Sequence, residues 1–451
     1  MPFTPQTASA LVDIAVRRQV SGRVPGLAAG VSRAGTLQWS AGVGSADLSR
    51  PGEAPGEHTQ YYIASNTKTF VAVVVLALRD EGRLDLDHDV TTYLPEAGHP
   101  GVTIRQMLSH SSGMQREPVG DVWDTLDFPD GPALVQGWTQ ARRVSGPHRF
   151  WHYSNLCYAM LGQVIERLDG RTWFDSVKAR ILDPLEMRET TNGLDPTAGR
   201  AAAGRYFVPP WSDVPRVEPD LHTLAMQPAG NLASTLADLA RWGAFVADPV
   251  DEVLAPDTLE EMCEPQILSA SDWSMAHGLG FMLFRRGART WVGHTGSHPG
   301  HITALLTDRG TATSAAVLMN SSSSPSPAAF ALDLGEAALE REPVTPEPWT
   351  PGTAVPEDLE PLLGPWFSEG QPFTLTVREG ALHARADGAP AHVADSVFER
   401  VDTDTFRTVA GRERGELLRL RRDAAGEVAA FNWATYLFTR RPYAFGEWLE
   451  D

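Results

Sequence analysis

The chain has 451 residues, of which 42% are apolar and 21% are charged, so it can form two or three domains with sizeable cores. Its formal net charge of −19 has the wrong sign for binding a phosphate backbone, which argues against a nucleic-acid partner. The longest apolar run, residues 70–78, has about half the length that a membrane-spanning helix needs.

The N-terminus lacks the pattern of a secretory signal, which has a basic start, an apolar stretch and a small-residue cleavage site. Two cysteines, Cys157 and Cys263, are too few for a disulfide framework and are expected to be buried thiols in a reducing compartment. We therefore expect a globular cytoplasmic protein without a nucleic-acid or membrane partner.

The first 340 residues mix strand and helix patterns. Two segments, 27–44 and 302–320, predict β-hairpins near the two ends of this region. Helical patterns occupy 69–81, 158–168, 236–246 and, after a serine-rich loop, 328–340. Strands at both ends with helices between them indicate an α+β fold, in which the chain leaves one antiparallel sheet and rejoins it. A large and mostly helical insertion is expected to pack beside the sheet.

A proline-rich stretch divides the chain. Residues 343–356, PVTPEPWTPGTAVP, carry five prolines and a glycine, which exclude a helix or a central strand and predict a linker. The predicted domains are therefore 1–342 and 357–451. The second contains short alternating segments at 373–379, 381–387, 406–411, 416–423 and 428–434. Their spacing predicts a small antiparallel barrel or sandwich.

A serine and a lysine three residues apart precede the longest apolar run. The sequence Ser65-Asn66-Thr67-Lys68 continues as TFVAVVVLAL, which predicts a buried helix with Ser65 at or near its first turn. Residues three apart share a helix face, so the Lys68 amine is expected beside the Ser65 hydroxyl. A serine nucleophile needs a base, and burial lowers the pKa of a lysine so that it can serve as one. The alternative is a helix-capping serine followed by a surface lysine.

The second candidate element is the tyrosine and asparagine inside FWHYSNLCYAMLG. The Tyr153 phenol can relay a proton if a nearby ammonium lowers its pKa, and Asn155 can hydrogen-bond a substrate amide. The alternative is an aromatic-rich start of a helix with Asn155 as its cap.

The third candidate element is Gly293-His294-Thr295-Gly296-Ser297, which follows the strand segment TWV. Glycine within a strand allows a ligand or another backbone to approach closely. His294 could bind a carboxylate or assist proton transfer near neutral pH.

A metal site is the competing interpretation of the same region, with His294, His298 and His301 as ligands. No acidic residue or cysteine completes the set nearby, and the segment predicts strand and turn. We therefore expect neither a metal nor a cofactor.

The order of the three elements resembles that of the serine β-lactamase and penicillin-binding-protein superfamily. The SxxK sequence is followed by Tyr-x-Asn about 85 residues later and by a His-Thr-Gly strand about 140 residues after that. Tyr-x-Asn stands in place of Ser-Asp-Asn, so the chain is most similar to the class C-like branch, peptidase family S12. That branch includes D-aminopeptidases and esterases. The stretches 103–114, 181–190 and 227–242 also resemble it, and the resemblance covers about residues 10–335.

The resemblance implies a fold and a set of roles. The implied fold is an antiparallel sheet sandwiched by helices with a helical subdomain, and the tail resembles the lipocalin-like barrel of some branch members. Ser65 would be the acylated nucleophile, Lys68 its general base, and Tyr153 the proton shuttle to the leaving group. The resemblance implies that the other matched residues bind substrate: Asn155, His294, Thr295, Gly296 and Ser297. The backbone N–H groups of Ser65 and Ser297 would form the oxyanion site.

His294 departs from the lysine that β-lactamases and cell-wall peptidases usually carry in this motif. A histidine does not stay charged across physiological pH as a lysine does, so strong β-lactamase activity is not expected. We expect the pH profile of acylation to depend on His294.

The main functional prediction is a serine hydrolase or acyltransferase for small peptide-like amides or esters, with a preference for D-residues that the family implies. The alternative is a penicillin-binding-protein-type thioesterase that releases and cyclises a nonribosomal peptide from a peptidyl thioester. A non-catalytic sensor with the same fold is a third possibility, although Ser65, Lys68 and Tyr153 are all present.

A carrier protein is a further candidate partner under the thioesterase alternative. The overall acidity does not favour docking an acidic carrier, but five arginines in the tail concentrate positive charge. These are Arg412, Arg414, Arg419, Arg421 and Arg422. The competing interpretation is a solvated strand face.

Overall fold

The computed structural model describes residues 2–98, 101–195, 201–345, 348–352, 354–444 and 447. The chain divides into two compact units, Met1–Thr345 and Pro346–Asp451. Residues 346, 347 and 353 of the predicted linker lie outside the described residues.

The first unit contains helices and strands in mixed order. Its helices are α1 (Pro5–Gly22), α2 (Thr67–Asp80), α3 (Ile104–Leu108), α4 (Val122–Thr125), α5 (Gly131–Trp138), α6 (Asn155–Asp169), α7 (Trp173–Val177), α8 (Leu236–Ala247), α9 (Pro256–Cys263) and α10 (Pro327–Arg341). The strands before the last third of the unit are β1 (Gly26–Arg33), β2 (Thr36–Gly44), β3 (Tyr61–Tyr62), β4 (Thr191–Asn192), β5 (Tyr206–Phe207), β6 (Arg216–Val217) and β7 (Leu232–Ser234). The remaining strands are β8 (Ile267–Leu268), β9 (Met275–His277), β10 (Met282–Arg286), β11 (Arg289–His298), β12 (His301–Asp308) and β13 (Thr313–Met319).

Eight of these strands form one antiparallel sheet in the order β2-β1-β13-β12-β11-β10-β9-β8. The strand β1 pairs with β13, Leu27 opposite Met319, so strands from the two ends of the unit are neighbours, second and third in the sheet. This confirms the prediction that the chain leaves one antiparallel sheet and later rejoins it. The predicted hairpins are β1–β2 and β12–β13.

Both faces of the sheet are covered, which makes the unit a sandwich. Along β1, Leu27 and Ala29 belong to the core shared with α1 and α10, whereas Ala28 faces the core that contains α2 and α6. Alternate residues of a strand point to opposite faces, so one strand contributes to both cores. The antiparallel sheet with helices on both faces confirms the predicted α+β class.

Helix α2 is buried nearly all round, as its apolar run predicts. Every residue from Phe70 to Leu76, and Leu78, is inaccessible to solvent. A helix that is apolar on all sides belongs inside a protein, and this one holds its first turn rigidly against the sheet. The described residues contain no helix that is both long and apolar enough to cross a membrane.

The second unit is a closed eight-stranded barrel, so of the two predicted forms the barrel is confirmed. Its strands are β14 (Gly364–Ser368), β15 (Gln371–Arg378), β16 (Ala381–Ala386), β17 (Ser396–Arg400), β18 (Thr405–Ala410), β19 (Leu417–Arg422), β20 (Val428–Trp433) and β21 (Tyr436–Thr439). Pairing of Phe367 with Thr439 joins the first strand to the last. Aromatic side chains fill the interior, among them Trp366, Phe431 and Phe438.

The arginines of the predicted basic patch lie partly in ion pairs. Arg422 contacts Asp404 at 2.8 Å, and Arg412 contacts Glu413 at 3.4 Å. These pairs reduce the positive charge available to a partner, which favours the interpretation as a solvated strand face.

The two cysteines are free thiols, but only Cys157 is fully buried, whereas Cys263 is partly exposed. The expectation of two buried thiols is therefore correct for Cys157 and wrong for Cys263, because α9 leaves the end of its last turn partly open to solvent.

Candidate functional site

Ser65 lies on a short 3₁₀ turn, Ala64–Asn66, directly before α2. Ala64 has a φ of 50°, a left-handed conformation that costs an alanine about 1–2 kcal/mol. The surrounding packing holds this conformation: Asn66 Nδ2 donates to the carbonyl oxygen of Ile63, and Ala64 is buried. The turn presents the half-buried Ser65 at the end of a rigid helix, as the sequence predicts.

Lys68 is completely buried, so the surface lysine of the competing interpretation is excluded. Its Nζ lies 3.0 Å from Ser65 Oγ and 2.9 Å from Asn155 Oδ1, and it also contacts the carbonyl oxygen of Ala229. Burial lowers the pKa of Lys68 to about 7. This effect of burial is larger than that of the nearby Glu117 carboxylate, which raises the pKa. The amine is therefore balanced between its charged and neutral forms near neutral pH.

The contacts of Lys68 orient the neutral amine. Asn155 Oδ1 and the Ala229 carbonyl oxygen can only accept hydrogen bonds, so they take the two N–H groups of a neutral amine. The remaining lone pair then faces the Ser65 hydroxyl at 3.0 Å. In this arrangement the amine can accept the Ser65 proton without any side-chain rearrangement.

Tyr153 lies just before α6, where Ser154 rather than Asn155 is the helix cap. The Tyr153 side chain hydrogen-bonds Ser65, and Lys68 Nζ lies 4.9 Å from the centre of its ring. Burial raises the pKa of Tyr153 well above its usual value, even though Ser65 and Arg116 oppose the shift. The effect of burial on the Tyr153 pKa therefore exceeds that of its charged and polar neighbours, and the free protein holds Tyr153 as a protonated phenol.

Asn155 is held between Lys68 and a residue that the sequence analysis missed. Its Oδ1 accepts from Lys68, and its Nδ2 donates to Glu117 Oε1 at 2.6 Å. Glu117 lies in the loop after the stretch 103–114 that resembles the S12 branch, but no spacing rule links it to the site. Glu117 reaches Asn155 only through the tertiary fold of the chain.

The strand β11 carries the third element past the Ser65 turn. A Cβ placed on Gly296 would lie 2.2 Å from the Ile63 carbonyl oxygen and 3.0 Å from Ala64 Cβ, so glycine is needed for this close approach. Thr295 is half-buried and Ser297 is exposed, and His294 is buried on the same strand. The sequence predicts that a glycine here allows another backbone to approach closely, and in the structure that backbone is the turn that holds Ser65.

Ser65 and Ser297 line one cavity of about 60 Å³, together with Glu117, Asn155, Met226 and Gly230. A Cβ placed on Gly230 would lie 3.6 Å from the backbone nitrogen of Ser65. The missing side chain keeps space open beside this N–H group.

Two further buried histidines that the sequence analysis did not assign, His110 and His277, lie beside His294. Within the described ranges, one ring nitrogen of each lies within 4.8 Å of the others. Ser154 N–H donates to His110 Nδ1 at 3.1 Å, so the neutral His110 ring carries its proton on Nε2. Every metal ligand must offer a lone pair, and His110 has none free while this hydrogen bond exists. The group therefore does not fit a metal as it stands.

The competing interpretation, in which His294, His298 and His301 bind a metal, is not favoured by the contacts of His298 and His301. His301 Nδ1 accepts from the backbone N–H of Tyr62, and His298 stacks on the Tyr62 ring at 4.1 Å between ring centres. Burial lowers the pKa of His298 to about 4 and that of His301 to about 3, so both rings are neutral near neutral pH. These two histidines support the fold around β3 instead of joining His294.

Comparison with known proteins gives a family match for each unit. The family described as Beta-lactamase matches residues 8–340, and the Domain of unknown function (DUF7586) matches residues 355–440. Esterase EstB of Burkholderia gladioli is 35% identical over 198 residues, which cover 40% of this chain and 49% of the esterase. The chain thus spans about half the length of that relative.

Two solved structures share the fold. A D-stereospecific amidohydrolase from Streptomyces sp. has a TM-score of 0.61 and 24% identity, covering 72% of this chain and 98% of the other. SurE with D-Leu has a TM-score of 0.59 and 24% identity, covering 97% of this chain and all of the other. The second match therefore includes the barrel unit.

Proposed function

Because the chain belongs to the Beta-lactamase family, a family of hydrolase-type enzymes, we propose that it is a serine hydrolase or acyltransferase acting through an acyl-enzyme on Ser65. The family match over residues 8–340 confirms the resemblance found in the sequence. The observation that carries the proposal is the buried Lys68 amine, 3.0 Å from Ser65 Oγ, with a pKa of about 7. The proposed substrates are small peptide-like amides or esters.

Acylation begins with proton transfer from Ser65 to Lys68. The Ser65 oxygen attacks the acyl carbon as its proton moves to the neutral Lys68 amine, and the carbonyl electrons move onto oxygen. We assign the resulting oxyanion to the backbone N–H groups of Ser65 and Ser297, two residues that line the same cavity.

Tyr153 completes the step as a proton donor. Its pKa is raised, so the phenol enters the reaction protonated and can donate to the leaving nitrogen or oxygen as the bond to the acyl carbon breaks. The Lys68 ammonium then returns a proton to the phenolate, and both residues regain their starting forms. Water or an amine attacks the acyl-enzyme by the reverse sequence.

Two similarities support a preference for D-residues. The amidohydrolase from Streptomyces is described as D-stereospecific, and SurE was solved with D-Leu. The alternative, a thioesterase that cyclises a nonribosomal peptide, uses the same acyl-enzyme and differs only in the group that attacks it. A carrier protein would be its partner.

We expect a fluorophosphonate to add to the chain once, at Ser65, because the buried Lys68 amine lies 3.0 Å from its Oγ. Intact-mass measurement should show one adduct on the wild-type protein and none on Ser65→Ala. Ser49→Ala, which removes an exposed serine, is the matched control and should still be labelled. Equal labelling of Ser65→Ala would contradict the proposal, and a wild-type protein without any adduct would indicate a non-catalytic sensor.

Mass spectrometry of the reaction products distinguishes the hydrolase from the cyclising thioesterase. The substrate is a peptidyl thioester with a free N-terminus and a C-terminal D-residue. A linear acid that depends on Ser65 supports the hydrolase, whereas a cyclic product lighter by one water supports the cyclase.

The acid side of the pH profile is expected to belong to Lys68 and not to His294. Burial and the nearby Lys68 charge lower the pKa of His294 well below its usual value, so its ring stays neutral near neutral pH. The acylation rate should therefore rise with pH and level off above about 7, where Lys68 is neutral. We expect His294→Gln to keep this midpoint, measured between pH 5 and 9, and a midpoint displaced by a whole pH unit would restore the earlier expectation that His294 sets the profile.

A further inference from the structure

The second unit has an open space at one end of its barrel. A cavity of about 480 Å³ lies there, bordered by the loops that follow β14, β16, β18 and β20. An eight-stranded barrel is just wide enough for side chains to fill it or to hold one small ligand. The volume of this cavity falls in the range of sites that bind small molecules, about 300–1,000 Å³.

Small inward-facing side chains leave this end of the barrel open. Leu382 and Ala384 of β16 belong to the barrel core, so the alternation of a strand turns Ala386 inward as well. Both alanines line the cavity, together with Phe373, which lies opposite Ala386 on the neighbouring strand β15. The inward series of β16 therefore changes from leucine to alanine where the cavity begins.

Three aromatic rings form much of the apolar lining. The Phe373 ring lies edge-on to the rings of Trp433 and Phe438, with ring centres 6.3 Å and 5.1 Å away. Trp433 Nε1 already donates to Thr408 Oγ1 at 2.9 Å, so the indole offers a ligand no free donor. Aromatic rings favour edge-to-face and offset contacts with one another. An aromatic ligand can therefore extend this group of rings.

The arginines that line the cavity are paired with carboxylates. Arg385 contacts Asp395 at 2.8 Å, and Arg412 contacts Glu413 at 3.4 Å. Glu369 adds a further carboxylate to the lining. An anion bound in this cavity would therefore have to compete with the carboxylates for each of these cations, and burying a charge without a partner is costly. The lining favours an uncharged ligand.

The contacts of Arg385 also hold one wall of the cavity in place. Besides Asp395, its guanidinium donates to the carbonyl oxygens of Ala389, Pro390 and Val393, at 2.7–3.1 Å. These three residues of the loop after β16 line the cavity. A cavity whose walls are ordered before binding loses less conformational entropy when a ligand enters.

We propose that this cavity binds one small uncharged aromatic molecule. The proposal does not depend on the Ser65 acyl-enzyme, because the described residues that line the cavity all belong to the second unit. It gives a binding role to the unit that matches a domain of unknown function.

The fluorescent probe N-phenyl-1-naphthylamine, which is uncharged and brightens in apolar surroundings, tests the proposal on the full chain. We expect one molecule to bind per chain, with a dissociation constant between about 1 and 100 μM. The anionic probe 8-anilino-1-naphthalenesulfonate has the same ring system with a sulfonate added, and it should bind about tenfold more weakly or worse. Equal or tighter binding of the sulfonate, or no saturable binding of the neutral probe, would overturn the proposal.

Two cavity-filling variants locate the bound probe. Ala386→Phe adds a ring from β16, and Ala389→Trp adds one from the loop, where a larger side chain is tolerated more easily than inside the barrel. Each should weaken binding of the neutral probe about tenfold or more. Ala429→Phe, at an exposed alanine of β20, is the matched control and should bind the probe as wild type does. Thermal unfolding confirms that each variant is folded, and wild-type affinity in either folded filling variant would refute the assignment to this cavity.

Competition tests the preference for an aromatic ligand. The aromatic alcohol 2-naphthol should displace the probe at a concentration about two- to tenfold lower than its saturated counterpart, decahydro-2-naphthol, because only the first makes ring–ring contacts. Displacement at equal concentrations would show that the three rings do not select an aromatic ligand, contrary to the proposal.

Discussion

Replacing Lys68 with methionine is expected to slow acylation of Ser65 by about a thousandfold or more, because the variant lacks the only buried amine beside the nucleophile in the described chain. Methionine fills most of the volume, so the apolar packing around α2 should remain. Burst kinetics with an activated ester, or the rate of fluorophosphonate labelling, would measure the loss. A variant that still acylates within tenfold of the wild-type rate would remove Lys68 from the role of base.

The same variant should change how stability depends on pH. Burial lowers the pKa of Lys68 from 10.5 in the unfolded chain to about 7 in the folded one, so between these values the unfolded state binds more protons. The contribution of Lys68 to the free energy of unfolding therefore rises with pH across this window. Lys68→Met lacks that contribution, so its stability relative to wild type should be greatest at pH 7 or below and decline towards pH 10. Urea unfolding at pH 6.5 and 9.5 tests this, with Ser65→Ala as the control that keeps the amine.

Gly296→Ala is expected to have the second largest effect. The new Cβ would lie 2.2 Å from the Ile63 carbonyl oxygen and 2.5 Å from Thr303 Oγ1, so β11 must move away from the turn that carries Ser65. Overpacking of this kind costs about 1–3 kcal/mol of unfolding free energy, and a displacement near 1 Å at the reacting groups costs about a hundredfold in rate. Denaturant unfolding and kcat/KM measure the two effects separately.

Gly137→Ala provides the comparison for this variant. Gly137 lies in α5, and apart from the neighbouring backbone of its own helix a Cβ there would meet no described atom within 4 Å. Alanine also favours the helical conformation, so stability should stay the same or rise slightly. If Gly296→Ala resembled Gly137→Ala in both measurements, the close approach of β11 to the Ser65 turn would be needed neither for stability nor for activity.

The sequence predicts those parts of the fold that depend on local patterns. The apolar run after Lys68 predicts α2, and the alternation in 302–320 predicts β12 and β13, because hydrophobic periodicity is set by neighbouring residues. Three barrel strands, β14, β17 and β21, were not predicted. They have only four or five residues each, too few alternations to form a pattern, and the closure of β14 on β21 depends on pairing between distant segments.

In the candidate site too, some features follow from sequence motifs and others depend on contacts between distant segments. Motif order predicts that Ser65, Lys68, Tyr153 and Asn155 lie together, and the structure brings them into one hydrogen-bonded group. Glu117 belongs to a loop without a repeating pattern, so nothing in the sequence marks it as a partner of Asn155. The raised pKa of Tyr153 could not be predicted from the sequence either, because the direction of the shift depends on how completely the side chain is buried.

The pairing of Leu27 with Met319 has a consequence for synthesis of the chain. A ribosome adds about 5–20 residues per second, so β1 and β2 emerge roughly fifteen to sixty seconds before the strand that completes their sheet. During that interval β1, which is almost entirely buried in the finished protein, has an open hydrogen-bonding edge and exposed apolar side chains. Productive folding therefore depends on keeping the nascent N-terminal hairpin from pairing with another chain. We expect slower translation of residues 45–312 to increase aggregation, because it lengthens the time for which β1 is exposed. Slower folding of the barrel is expected to increase aggregation less, because β1 is already paired with β13 by then.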